Sequence, residues 1–162
     1  MSKKIVIVGG VAAGPKAACH LKRVQPGWDV TVVDQDSVIS YGGCGIPYYV
    51  GGDVSDEAEL RSTSFHAVRD EPFFADAKGV EVLTRTRALA INRQEKKLKV
   101  KNLDSDEEQE LAYDKLMLAT GASPFVLPIP GADLDGVARP RISGNVRQLG
   151  NLELRPRLHD RA

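Results

Sequence analysis

Residues 4–8, Lys-Ile-Val-Ile-Val, form a short β-branched run that closes on glycine, which predicts a buried strand. Over residues 14–24, Ala17, Leu21 and Val24 recur at helical spacing, and Pro15 falls where a first helical turn tolerates it. Gln25, Pro26 and Gly27 end that helix. Residues 29–34 place Val-Thr-Val-Val between two aspartates and predict a second strand. Strand, glycine turn, helix and strand in this order make a βαβ unit, hence a parallel pair with a right-handed crossover.

Residues 35–64 are loop-rich, with a short helix expected to begin near Cys44. Residues 65–77 carry a weak helical pattern that Pro72 is expected to interrupt, with His66 at the helix start. Residues 80–83 predict a strand. Residues 88–92, 98–103 and 110–113 then predict a three-stranded antiparallel meander with charged turns at 94–97 and 104–108. Residues 115–119 predict a last buried strand running into Thr120 and Gly121. The fold class is therefore α/β: a Rossmann-like domain with a parallel sheet plus a three-stranded β-meander.

A chain of 162 residues can bury a proper core. Lys plus Arg and Asp plus Glu both number 22, so no basic excess points to nucleic acid and no acidic excess to a solvating tail. No apolar run approaches a membrane span, and the start lacks a signal peptide's apolar core, so a cytoplasmic location is expected. Arginine use changes along the chain. Residues 139–162 hold six arginines and no lysine, whereas lysine outnumbers arginine ten to six before them. That tail has no sustained period, and Pro140 and Pro156 break it further, so it is expected to be poorly structured. The expected division is 1–138 as the domain and 139–162 as the tail.

The turn Gly9-Gly10-Val11-Ala12-Ala13-Gly14 would set backbone N–H groups and a helix N-terminus against a pyrophosphate. The strict glycine pattern has a glycine where this chain has Val11. Asp34 ends the second strand about twenty residues on, where a carboxylate accepts hydrogen bonds from ribose hydroxyls. Cys44 lies between Gly43 and Gly45, with Pro47 where a helix's first turn would be. A thiol at a helix start is favoured as the thiolate, the form that attacks disulfides and peroxides. Cys19 falls mid-helix among Ala17, Ala18 and Leu21 and reads as a packing residue. His20, His66 and His159 make no metal pattern, no metal ligands are expected, and no CxxC dithiol occurs.

Three segments together resemble a known family: the glycine turn with Asp34, the loop Ser40-Tyr-Gly-Gly-Cys-Gly-Ile-Pro-Tyr-Tyr49, and the strand that ends Ala119-Thr120-Gly121. The set is similar to the single-cysteine branch of the pyridine nucleotide-disulfide oxidoreductases, which includes coenzyme A-disulfide reductases, NADH oxidases and NADH peroxidases. Val11 is familiar at its position in the coenzyme A-disulfide reductase group. The resemblance covers about residues 3–137 and implies an FAD-binding domain. Gly9, Gly10 and Gly14, with Val11, Ala12 and Ala13 between them, would border the FAD pyrophosphate. Asp34 would take the adenosine ribose, Cys44 would be the redox thiol, and Thr120 and Gly121 would pass close to the flavin. Ser40 and Gly43 match loop positions before the cysteine, and Gly43 departs from members that have asparagine there.

The implied activity is NAD(P)H-dependent reduction of a small disulfide, oxygen or peroxide. A complete member continues with an NAD(P)-binding domain, a return segment that closes the flavin site and a dimerisation domain, so the chain reads as a fragment. The arginine-rich tail resembles translation in a shifted frame or a gene truncated there. Two other readings stand beside the enzyme: a non-catalytic flavin-binding remnant, and a stand-alone NAD(P)-binding module. The Ala119-Thr120-Gly121 strand end favours FAD over the last.

Overall fold

The computed structural model describes residues 2–122, 125, 128–131 and 134. The tail segment 139–162 lies outside the described residues.

β1 (Lys4–Val8) enters the turn at Gly9, α1 (Ala13–Val24) follows, and β2 (Asp29–Val33) returns parallel to β1, with Lys4 opposite Asp29 and Val8 opposite Val33. β3 (Glu81–Leu83) adds to the outer side of β2. β7 (Lys115–Leu118) adds to the other side of β1, which gives a parallel sheet in the order β3-β2-β1-β7. β4 (Thr86–Asn92), β5 (Lys97–Asn102) and β6 (Glu108–Ala112) make a separate antiparallel sheet in sequence order. The parallel sheet and the meander expected from the hydrophobic pattern are both present.

The layering explains why β1 reads as a continuous apolar run. Ile5 and Ile7 pack with Val30, Val32, Ala18 of α1 and Phe74 of α3 (Glu71–Lys78) on one face. Val6 and Val8 pack with Val33, Leu98 and Val100 on the other. A strand covered on both faces needs apolar residues at every position. β5, covered on one face, alternates. Leu98 and Val100 are fully buried, whereas Lys97, Lys99 and Lys101 point outward to Glu110, Glu108 and Asp106 at 3.0, 2.6 and 2.7 Å.

Two expectations between residues 57 and 78 are corrected. Pro72 does not interrupt a helix; it lies in the first turn of α3, where its missing N–H is no loss. Asp70 caps that turn by accepting from the Phe73 N–H at 3.0 Å, and Gly79, left-handed at φ 62°, closes it. Residues 65–70 are therefore not helical. They belong to a turn held by a bridge between Ser62 and Val68, in which His66 has φ 61°. A 3₁₀ turn over Glu57–Arg61, capped by the Asp56 carboxylate on the Ala58 N–H, was not expected from the pattern. Each meander strand also begins one or two residues earlier than the apolar positions suggest, because polar residues, buried Thr86 in β4 and exposed Glu108 and Gln109 in β6 among them, extend the ladders.

Candidate functional site

The turn after β1 is built so tightly that only glycine fits at two positions. Gly9 has φ 117°, and a Cβ there would lie 2.1 Å from the Ala119 carbonyl oxygen. A Cβ on Gly14 would lie 1.8 Å from the Gly9 carbonyl oxygen. The first requirement lets β7 reach the turn; the second presses the start of α1 onto it. Ala12, at the helix N-cap, supplies no side-chain cap, and the first turn of α1 carries no acid. The leading N–H groups of α1 are thus left for an anion from outside the chain.

Asp34 stands at the end of β2, and both its oxygens are engaged. Oδ2 accepts from the Gly10 N–H at 2.5 Å and Oδ1 from the Asp36 N–H at 2.9 Å. The carboxylate therefore has a structural duty that sequence reading assigned only to a ligand. It also lines a cavity of about 460 Å³, so its remaining lone pairs have a place to act. That cavity is bordered by Gly9, Val11, Ala12 and Ala13 of the turn and by Thr120 and Gly121 beyond β7. Gly10 and Gly14 are buried behind it.

The cysteine loop is tied to the same turn. The Ser40 N–H donates to the Gly10 carbonyl at 2.7 Å, four residues before Cys44. Ser40 is buried and holds a left-handed φ of 53°, an uncommon conformation for serine. Gly42 donates to the Leu60 carbonyl at 2.7 Å, and Gly45 leaves no room for a Cβ against Leu60 Cδ2. Leu60 is buried with Val38, beside Tyr41, Ile46 and Tyr49. Cys44 is thereby carried on a packed backbone, in a 3₁₀ turn over Gly43–Gly45 that leads into α2 (Ile46–Gly51), with its thiol exposed. Cys19 is half-buried against the helix-side core, and desolvation pushes its thiol pKa up despite nearby Lys78, Arg23 and Lys16.

A second cavity, about 430 Å³, lies on the other side of Val11 and Ala12. Ser40, Tyr41 and Gly42 border it, as do Lys16, Arg69 and Lys78. Sequence reading missed this basic lining. Lys16 could have been suspected from its place one turn into α1, but Arg69 and Lys78 reach the cavity only through tertiary folding. Gly43 and Cys44 border neither cavity.

Among the described residues no group of three or more His, Cys, Asp or Glu could hold a metal, and no helix is long and apolar enough to cross a membrane.

A βαβ unit with this turn, an acid at the end of β2 and a cavity between them defines a dinucleotide-binding α/β domain. The chain belongs to the pyridine nucleotide-disulphide oxidoreductase family, whose profile matches residues 3–158. It is 40% identical to the NADH oxidase of Lactococcus lactis subsp. cremoris over 134 residues, which is 83% of this chain and 28% of that protein. It is 30% identical to the coenzyme A disulfide reductase of Staphylococcus haemolyticus, over 74% of this chain and 26% of that one. Among solved structures, a NAD-dependent persulfide reductase from A. fulgidus superposes with a TM-score of 0.77 at 44% identity, over 82% of this chain and 24% of that chain. The chain thus spans about a quarter of the length of the relatives it matches.

Proposed function

We propose that this chain is the flavin-binding part of an NAD(P)H-dependent oxidoreductase of the single-cysteine kind, with FAD as the cofactor and Cys44 as the redox thiol. The observation that carries the reading is the Ser40-to-Gly10 hydrogen bond of 2.7 Å, which fixes the cysteine loop to the turn that would cradle the cofactor. The residues fit such a group. Gly9 and Gly14 leave no side chain in the cradle, and the leading amides of α1 are uncapped. Gly9, Gly10, Val11, Ala12, Ala13 and Gly14 would face or support the pyrophosphate, Asp34 the ribose, and Thr120 and Gly121 the flavin end. Bound there, FAD would supply the two-electron chemistry that a thiol alone lacks.

Cys44 then acts as nucleophile. Its thiolate attacks one sulfur of a small disulfide; the new S–S bond forms to Cys44, the old one breaks, and the second sulfur leaves as a thiolate. The chain's own residues favour an anionic substrate. Lys16, Arg69 and Lys78 line the cavity that Cys19 and Ser40, Tyr41 and Gly42 also border, and Gly42 lies two residues before Cys44 in the chain. Three cations suit the phosphates of a coenzyme A-type thiol. Relatives named coenzyme A disulfide reductase and NADH oxidase fit disulfide and oxygen as acceptors, and the cation lining supports the first. Two free thiols suit a reducing cytoplasm.

The test is to incubate the purified chain with coenzyme A disulfide at neutral pH and map the adduct by mass spectrometry. A coenzyme A adduct on Cys44, slowed in Lys16→Gln and Arg69→Gln, is expected. An adduct confined to Cys19, or equal rates with an uncharged disulfide of similar reactivity, would overturn the assignment.

A further inference from the structure

We propose that Arg87, held in place by Gln35, is the platform on which the adenine of the bound dinucleotide rests. The inference deepens the dinucleotide reading above and rests on it. With the pyrophosphate at the glycine turn and the ribose at Asp34, the base must lie beyond Asp34, where Gln35, Asp36, Thr86, Arg87 and Ala88 line the same cavity. The two walls there are pinned together. Asp34 N–H donates to the Leu83 carbonyl at 3.0 Å, Thr86 N–H to the Asp34 carbonyl at 2.9 Å, and Arg85 N–H to the Asp36 carbonyl at 3.2 Å. Arg87 Nε completes the seam by donating to Gln35 Oε1 at 3.1 Å.

The charge pattern singles out Arg87. Two residues earlier in the chain, Arg85 pairs with Asp104 at 3.0 Å; directly across the ladder, Lys101 pairs with Asp106 at 2.7 Å. Arg87 lies opposite Lys101 and, among the described residues, makes no ion pair. It is held by a neutral amide although Asp34 and Asp36 flank that amide, and both Asp34 oxygens already accept backbone N–H groups. The guanidinium is thus held at Nε on an exposed side chain, and among the described residues its terminal nitrogens make no ion pair. A planar cation so placed on a cavity wall suits a purine, by stacking and by hydrogen bonds to ring nitrogens. The adjoining Val33 and Ala88 supply the apolar remainder.

The test uses the full chain and ADP-ribose, which carries the adenine, ribose and pyrophosphate without flavin or nicotinamide. Calorimetric titration should give affinity weaker by about fivefold in both Arg87→Ala and Arg87→Lys, because lysine keeps the charge but not the plane. Urea midpoints should match the parent, since Arg87 is exposed. In the parent complex, NMR should give contacts between the Arg87 Hδ protons and adenine H8 or H2. Parental affinity in either variant, or no such contacts, overturns the inference while leaving the dinucleotide reading intact. Failure of the folded parent to bind ADP-ribose overturns both.

Discussion

Gly14→Ala sets two effects of opposite sign against each other, and the geometry decides between them. Gly14 is the second residue of α1, and alanine there would gain up to about 1 kcal/mol from helix propensity. Its Cβ would however lie 1.8 Å from the Gly9 carbonyl oxygen and 3.2 Å from Ile7 Cγ2. Nothing flexible can yield, since the nearest group is backbone pinned by the Gly9 N–H to Val33 carbonyl bond at 2.9 Å. Helix and turn must separate by roughly 1–1.5 Å, and overpacking of this sort costs about 1–3 kcal/mol, here at the upper end. The net is a loss of about 2 kcal/mol, which at an m-value of about 2 kcal/mol/M lowers the urea midpoint by about 1 M. Gly27→Ala is the control: a Cβ there meets nothing within 4 Å, so the midpoint should hold or rise by up to about 0.5 M. The assay is urea unfolding followed by circular dichroism and by the fluorescence of Trp28. A Gly14→Ala midpoint at or above the parent's would refute the claim that helix, turn and strand are in contact here.

Asp34→Asn should weaken nucleotide binding by about tenfold in calorimetry and lose some stability, because its single carbonyl oxygen can accept from only one of the Gly10 and Asp36 N–H groups, while Asp34→Ala, which leaves both without their acceptor, should lose about 1–3 kcal/mol; an Asp34→Ala variant as stable as the parent would contradict the structural duty assigned to the carboxylate. Iodoacetamide near pH 7 should label Cys44 well before Cys19, since Cys44 is exposed and burial raises the Cys19 thiol pKa, and Cys19 labelling should catch up only as alkaline pH strips its proton. Peptide mapping that finds Cys19 first in the folded chain would reverse the two roles. Asp70→Ala should cost about 1 kcal/mol by removing the cap on α3, and a variant as stable as the parent in urea would argue against that cap.

The parallel sheet was readable because β1 from Ile5 to Val8 is buried on both faces and apolar without interruption, because β2 is rich in valine around Thr31, and because glycine marks where the chain turns. The meander was readable from alternation, and its charged turns from composition. What sequence did not reveal depends on contacts distant in the chain. Nothing near Asp34 foretells that its oxygens hold Gly10 and Asp36. Arg69 and Lys78 join Lys16 only because the turn over residues 65–70 and α3 fold back over the glycine turn. Pro72 was misjudged for a local reason: proline breaks a helix interior but opens a first turn, and the choice depended on Asp70 as the cap. The Arg87–Gln35 pair, 52 residues apart, leaves no periodic trace at all.

The turn, Asp34 and the cavity between them are proposed to hold FAD. Equilibrium dialysis of the purified chain against FAD, with NAD⁺ and FMN in parallel, tests it most directly. Saturable binding of one FAD per chain is expected, weakened about tenfold in Asp34→Asn, with NAD⁺ and FMN each bound more weakly. A folded chain that binds no FAD, that prefers NAD⁺, or whose FAD binding is untouched by Asp34→Asn would contradict it.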